Sequence, residues 1–111
     1  MKVNQDYAGT TLDAVDEAVT VNVADCDVIA FQITGTFVAT IAIEASMNGT
    51  DFVAFAITNV GPNAQNSSFT TPCLLRSPIG TAQGIEQIRA RMSAYTSGSA
   101  LVIWQTARTS K

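Results

Sequence analysis

From Val19 onward the chain alternates apolar and polar residues with a period of two, the pattern of strands that bury one face. Val19, Val21 and Val23 alternate with Thr20 and Asn22. After a break at Asp25-Cys26-Asp27, Ile29, Phe31 and Ile33 alternate with Ala30, Gln32 and Thr34. Gly35 marks a bend or bulge, and Phe37, Ala39, Ile41, Ile43 and Ala45 form the next apolar set. Later, Ile88, Ala90, Met92 and Ala94 alternate with Arg89, Arg91, Ser93 and Tyr95, whereas Ala100-Leu101-Val102-Ile103-Trp104 is apolar on both faces. Only one face of that last strand can belong to the domain's own core, so the pattern predicts a second apolar surface that something must cover.

Turn signals divide these runs. Met47-Asn48-Gly49 allows two hairpin registers. A two-residue loop pairs Ala45 with Phe52. A three-residue loop with Gly49 left-handed pairs Ile43 with Val53 and Ile41 with Phe55, and is preferred because it groups Ile41, Ile43, Val53, Phe55 and Ile57. Residues 59–72 read as loop, broken by Gly61-Pro62 and Pro72, with room for a short strand through Ser67-Ser68-Phe69-Thr70. Cys73-Leu74-Leu75-Arg76 forms a further short strand closed by Pro78 and Gly80, and Thr96-Ser97-Gly98 is expected to turn the chain into its final strand. The prediction is an all-β fold: an antiparallel β-sandwich of seven or eight strands, jelly-roll-like or alternatively immunoglobulin-like, over residues 18–108. An N-terminal arm of residues 1–17 precedes it and a tail of residues 109–111 follows.

The final hairpin sharpens the expectation of a covered face. A three-residue loop at 96–98 places Leu101 and Ile103 beside Arg89, Arg91 and Ser93; a two-residue loop places Val102 and Trp104 beside Tyr95, Ser93 and Arg91. Either register sets an apolar pair against an arginine ladder, the composition of a protein–protein interface. The expected subunit interface is Arg89, Arg91, Ser93, Tyr95, Leu101 and Ile103. The competing reading is that a loop or the leading segment of the same chain covers the stripe.

Composition narrows the function classes. Of 111 residues, 47% are apolar and 14% charged, which excludes a disordered chain. A net charge of −3 without a Lys/Arg cluster gives no footprint for nucleic acid. No run approaches the roughly 20 apolar residues of a membrane span, and the first residues lack the apolar core of a signal peptide, so a protein made in a cytoplasm is expected. There Cys26 and Cys73 are expected as buried thiols, and Asn48-Gly49-Thr50 and Asn66-Ser67-Ser68 as turns and not glycosylation sites. The chain has no histidine, which removes the commonest general base and metal ligand. Asp13, Asp16 and Glu17 lack an EF-hand frame, Glu44 and Glu86 fall at surface positions, and no phosphate loop or nucleophile elbow is present. The expectation is a protein without catalysis, cofactor or metal. Charge is also uneven: six of the nine acids are Asp6, Asp13, Asp16, Glu17, Asp25 and Asp27, while from Phe52 onward Glu86 stands against Arg76, Arg89, Arg91, Arg108 and Lys111. An acidic leading segment and a basic trailing half can meet within one sandwich or between subunits.

Three segments carry a resemblance: the strand ending Thr34-Gly35-Thr36-Phe37, the hairpin Ser46-Met47-Asn48-Gly49-Thr50 with Phe52 after it, and Arg89-Ala90-Arg91-Met92-Ser93-Ala94-Tyr95-Thr96-Ser97-Gly98-Ser99. Together they resemble a small β-sandwich module common among tailed-phage virion proteins, over most of residues 19–107. The chain departs from that module's pattern in having Leu101 and Ile103 at positions usually polar, and Phe52 where a Trp is usual. The resemblance implies a virion structural protein that decorates or cements a capsid at its surface, made in the host bacterial cytoplasm. It would act as a homo-oligomer, expected as a trimer, with the major capsid protein as partner. In that reading Tyr7, Leu12 and Val15 of the arm contact the capsid. The alternative is a tail or fibre module binding a host-surface glycan, for which Phe69 and Tyr7 are the loop aromatics.

Overall fold

A computed structural model describes residues 2–3, 8–24, 26–78 and 85–108. Among the described residues there are ten antiparallel strands: β1 (Lys2–Val3), β2 (Ala8–Leu12), β3 (Ala18–Asn22), β4 (Val28–Ser46), β5 (Val53–Ala54), β6 (Ile57–Asn59), β7 (Ala64–Asn66), β8 (Ser68–Phe69), β9 (Cys73–Pro78) and β10 (Gln87–Arg108). Two of them organise the rest. The 19-residue β4 and the 22-residue β10 pair along their whole length, from Gln87↔Ser46 to Ala107↔Val28.

This ribbon is doubled over. A straight strand of that length would run about 70 Å, but the longest dimension of the molecule is 44 Å. The Val23 N–H donates to the Glu86 carbonyl just before β10 (2.8 Å), and the Asp27 N–H to the Ala107 carbonyl near its end (2.8 Å). Four residues span at most about 14 Å, so the two ends of β10 lie close together. Register slips at Met92/Ala94 and Tyr95/Ser97 leave Ser93 and Thr96 as extra residues on β10. Such bulges bend a strand and increase its twist. Gly98 (φ 86°) and Gly35 (φ 109°) take left-handed backbone conformations at the same bend.

The two halves of the ribbon thus become two sheets facing one core. One carries β3, β10, β4 and, on the far edge, β5 and β8. The other carries β2, β10, β4, β9, β6 and β7. A single buried cluster joins Val19, Val21, Ile41, Ile43, Ile88 and Met92 of the first to Leu12, Ile29, Phe31, Ile33, Leu75 and Val102 of the second. The period-two pattern explains which residues enter it. Odd positions of β4 and even positions of β10 point inward in both halves, because two bulges together restore the parity that one would reverse.

The antiparallel sandwich expected from the sequence is therefore what forms, with three local corrections. Residues 96–98 do not turn the chain: a partner strand of 19 residues runs alongside, and the left-handed glycine that suits a hairpin also suits a bulge. The 47–49 hairpin takes neither expected register. Ala45 faces Val53 and Glu44 faces Ala54 across a wider loop, which its own side chains hold. Asn48 Oδ1 accepts the N–H groups of Thr50 and Asp51 (both 2.9 Å), and Ser46 Oγ accepts that of Gly49 (2.8 Å). Finally, the expected arm is, from Ala8, an integral strand. β2 and β3 follow β10 around its bend, with the Asp16 N–H donating to the Met92 carbonyl and the Met92 N–H to the Glu17 carbonyl (both 2.8 Å). The expected tail, residues 109–111, lies outside the described residues.

Candidate interaction surface

The expected interface residues do not form one patch. With no turn at 96–98, Arg89 and Arg91 lie on the outer face of the first sheet, and Leu101 and Ile103 on the outer face of the second. Ser93 is a bulge residue whose hydroxyl donates to the Thr40 carbonyl (3.4 Å), and the Tyr95 hydroxyl at the bend donates to the Gly98 carbonyl (3.0 Å). Among the expected capsid-contacting residues, Leu12 is 1% exposed and belongs to the core, so it is unavailable to a partner. Val15 projects from the β2–β3 turn, 55% exposed, and Tyr7 lies outside the described residues. Phe69 is buried and offers no surface for stacking a sugar.

The arginine ladder is satisfied within the chain. Glu44, opposite Arg89 in the register, accepts from Arg89 Nε (2.7 Å) and from Arg91 Nε and Nη2 (3.1 and 3.0 Å). Arg91 Nη1 also donates to Asp16 (2.8 Å), and the Arg89 guanidinium lies 4.0 Å from the centre of the Phe52 ring. Glu44 is the hub, and its hydrogen bond from Arg91 holds its carboxyl below the usual range, against the opposing effect of burial and with further help from Arg89. A lowered carboxyl stabilises the fold above its unfolded pKa, near 4.5, and that contribution is lost as pH falls through the lower folded value. Glu44→Gln is expected to cost about 1–3 kcal/mol at neutral pH, because two half-covered guanidinium groups lose their charged acceptor. The melting difference between wild type and the variant should be largest above pH 5 and shrink towards pH 3; a difference independent of pH would contradict this role.

The second sheet presents a different surface. Its outer face carries one cross-strand row of Ile103, Gln32 and Leu74 and a neighbouring row of Gln105, Ala30 and Arg76. Leu101, beside them, is 37% exposed and Leu74 is 49% exposed. β2 borders this face without roofing it: a side chain at Gly9 would meet Leu101 at 3.1 Å and Ile103 at 3.6 Å, so the glycine leaves room for both. Between the rows lies a hollow of about 260 Å³, lined by Ala30, Gln32, Leu74, Ile103, Trp104 and Gln105. Leu74 and Arg76 were missed as surface determinants in the sequence. The available signal was the doublet Leu74-Leu75 in a short strand, where only one of two neighbours can face the core.

Among the described residues no group of three or more His, Cys, Asp or Glu side chains could hold a metal. Cys26 and Cys73 do not bond to each other, and burial raises the Cys73 thiol to about 11, so it stays protonated at neutral pH. At the β2–β3 turn, Glu17 accepts the Asp13 N–H (2.7 Å), which lowers the Glu17 carboxyl; the hydrogen bond and like charge of Glu17 raise that of Asp13.

No protein-family model and no curated protein matches the chain. Among solved structures it is similar to the SPBc2 prophage-derived protein YomS, with a TM-score of 0.68 and 16% identity over 95% of this chain and 98% of that one. A looser similarity, with a TM-score of 0.46 and 10% identity over 97% and 90% of the two chains, is to the disulfide-linked pili of Bacillus endospore appendages. The chain thus has the same fold as a prophage-derived protein over nearly the full length of both.

Proposed function

We propose that this chain is a non-enzymatic structural subunit of a phage virion, a capsid decoration or cement protein that stabilises the shell by packing against its neighbours. The observation that carries this reading is the outer face of the second sheet. Leu74, Leu101 and Ile103 lie together across three strands, with Leu74 and Leu101 well exposed, on a sheet whose other face already fills the core. Similarity of fold to a prophage-derived protein supports the phage setting. Work of this kind needs burial of area across several subunits and no reactive group. Glu44, the carboxylate most open to a catalytic reading, is committed to two arginines.

The partners in this proposal are further copies of the chain, with a trimer as the expected assembly, and the major capsid protein. The test is co-sedimentation of the purified protein with shells of the major capsid protein from the same genome. Wild type is expected to pellet with the shells, and Leu74→Asp/Leu101→Asp to stay in the supernatant while melting within about 3 °C of wild type, since surface changes usually cost little. Wild type left in the supernatant would overturn the proposal. Pelleting of the double variant at the wild-type level would overturn the assignment of this face.

A further inference from the structure

The uneven distribution of charge along the sequence is only partly resolved inside the chain. Asp16 meets Arg91, and Glu44 takes both Arg89 and Arg91. Of the arginines whose side chains are described, Arg76 alone stands outside an ion pair, exposed beside Leu74 at the hollow of the second sheet. Asp13 and Glu17 remain exposed on the β2–β3 turn at the bend of the ribbon, flanking the protruding Val15. One surface is an apolar hollow with a lone cation at its edge, and the other is an apolar tip between carboxylates.

We infer that the β2–β3 turn of one copy docks into the hollow of a second copy, Val15 against Leu74 and Ile103 and the Asp13/Glu17 pair against Arg76. This rests on the reading above that the second sheet's outer face is an assembly surface, and it names what covers it. The turn suits the role because it is held in shape: two backbone hydrogen bonds tie it to Met92, and Glu17 closes it through the Asp13 N–H. Little ordering is then needed on association. A tip meeting a hollow elsewhere on the molecule is a heterologous contact, which closes into a ring when the rotation permits, as in a trimer.

A heterologous contact has a decisive mixing test. Arg76→Glu leaves the turn intact and spoils the hollow; Asp13→Arg spoils the turn and leaves the hollow intact. By sedimentation velocity each variant alone should self-associate at least tenfold more weakly than wild type, a change of about 1.4 kcal/mol. A one-to-one mixture should regain assembly with the two variants alternating, because the intact turn fits the intact hollow and the two reversed charges fit each other. The double variant Arg76→Glu/Asp13→Arg should recover assembly through the reversed pair. Thermal melts confirm folding, and Arg76→Gln with Asp13→Asn repeats the comparison if either charge reversal unfolds the chain. Single variants that assemble like wild type, a mixture no better than its components, or a wild type that is monomeric at its highest soluble concentration would each overturn the contact. Shells that still bind such a monomer would leave the decoration role standing, whereas failure of wild type to bind shells removes that role independently.

Discussion

Gly98→Val is expected to destabilise the protein by about 3–5 kcal/mol, lowering its melting midpoint by well over 10 °C, because strain and overpacking act together at this site. Gly98 has φ of 86°, a conformation β-branched residues avoid, and a side chain there would run into the Thr36 carbonyl oxygen and lie 2.7 Å from Phe37 Cα. Both obstacles are backbone of the paired strand β4, which cannot yield without breaking the ribbon where it bends. Gly61→Val is the control. The nearest atom to a side chain there is Asn59 Oδ1 at 3.9 Å, so a change within about 0.5 kcal/mol is expected. Equal losses for both variants in a denaturant titration would show that the bend does not depend on Gly98.

Leu12→Ala is the second large effect, about 2–4 kcal/mol, the usual cost of truncating a buried leucine. Leu12 is fully enclosed, opposite Ala100 in the register, and packs with the core shared by both sheets. The neighbouring Val15→Ala, on an exposed turn, should change stability by no more than about 0.5 kcal/mol. The pair therefore separates two descriptions of the leading segment. A detachable arm would tolerate both changes in the isolated protein, whereas an integral strand tolerates only the second.

The residues that alternate were legible as strands because burial of one face imposes a period that nothing else in the chain competes with. Ile29, Phe31, Ile33, Ile41, Ile43, Ile88, Ala90, Met92 and Val102 are all enclosed as the alternation requires. Connections were harder. Gly98 permits a left-handed backbone in a hairpin turn and in a bulge alike, so local chemistry left the choice to whichever partner strand was available. That single ambiguity moved Leu101 and Ile103 away from Arg89 and Arg91. The acidic leading segment hid its strand for a different reason: β2 is Ala-Gly-Thr-Thr-Leu, in which Leu12 is enclosed but the sequence does not alternate, and it is held by the ladder to β10 and not by pattern. The outer side of β10 carries Leu101 and Ile103, and the arginine on that face is Arg76, supplied by a short strand far away in sequence.

Pairing β4 with β10 also dictates when the fold can come into being. Ser46 and Gln87 are partners 41 residues apart, and Val28 and Ala107 are partners 79 apart. While a ribosome adds residues at about 5–20 per second, β4 waits several seconds with its isoleucines exposed before its partner emerges. Long-range pairing of this kind also closes slowly once synthesis is done. The interval between translation and closure is therefore when this sequence is most open to aggregation, and a chaperone that shields residues 28–46 would act there.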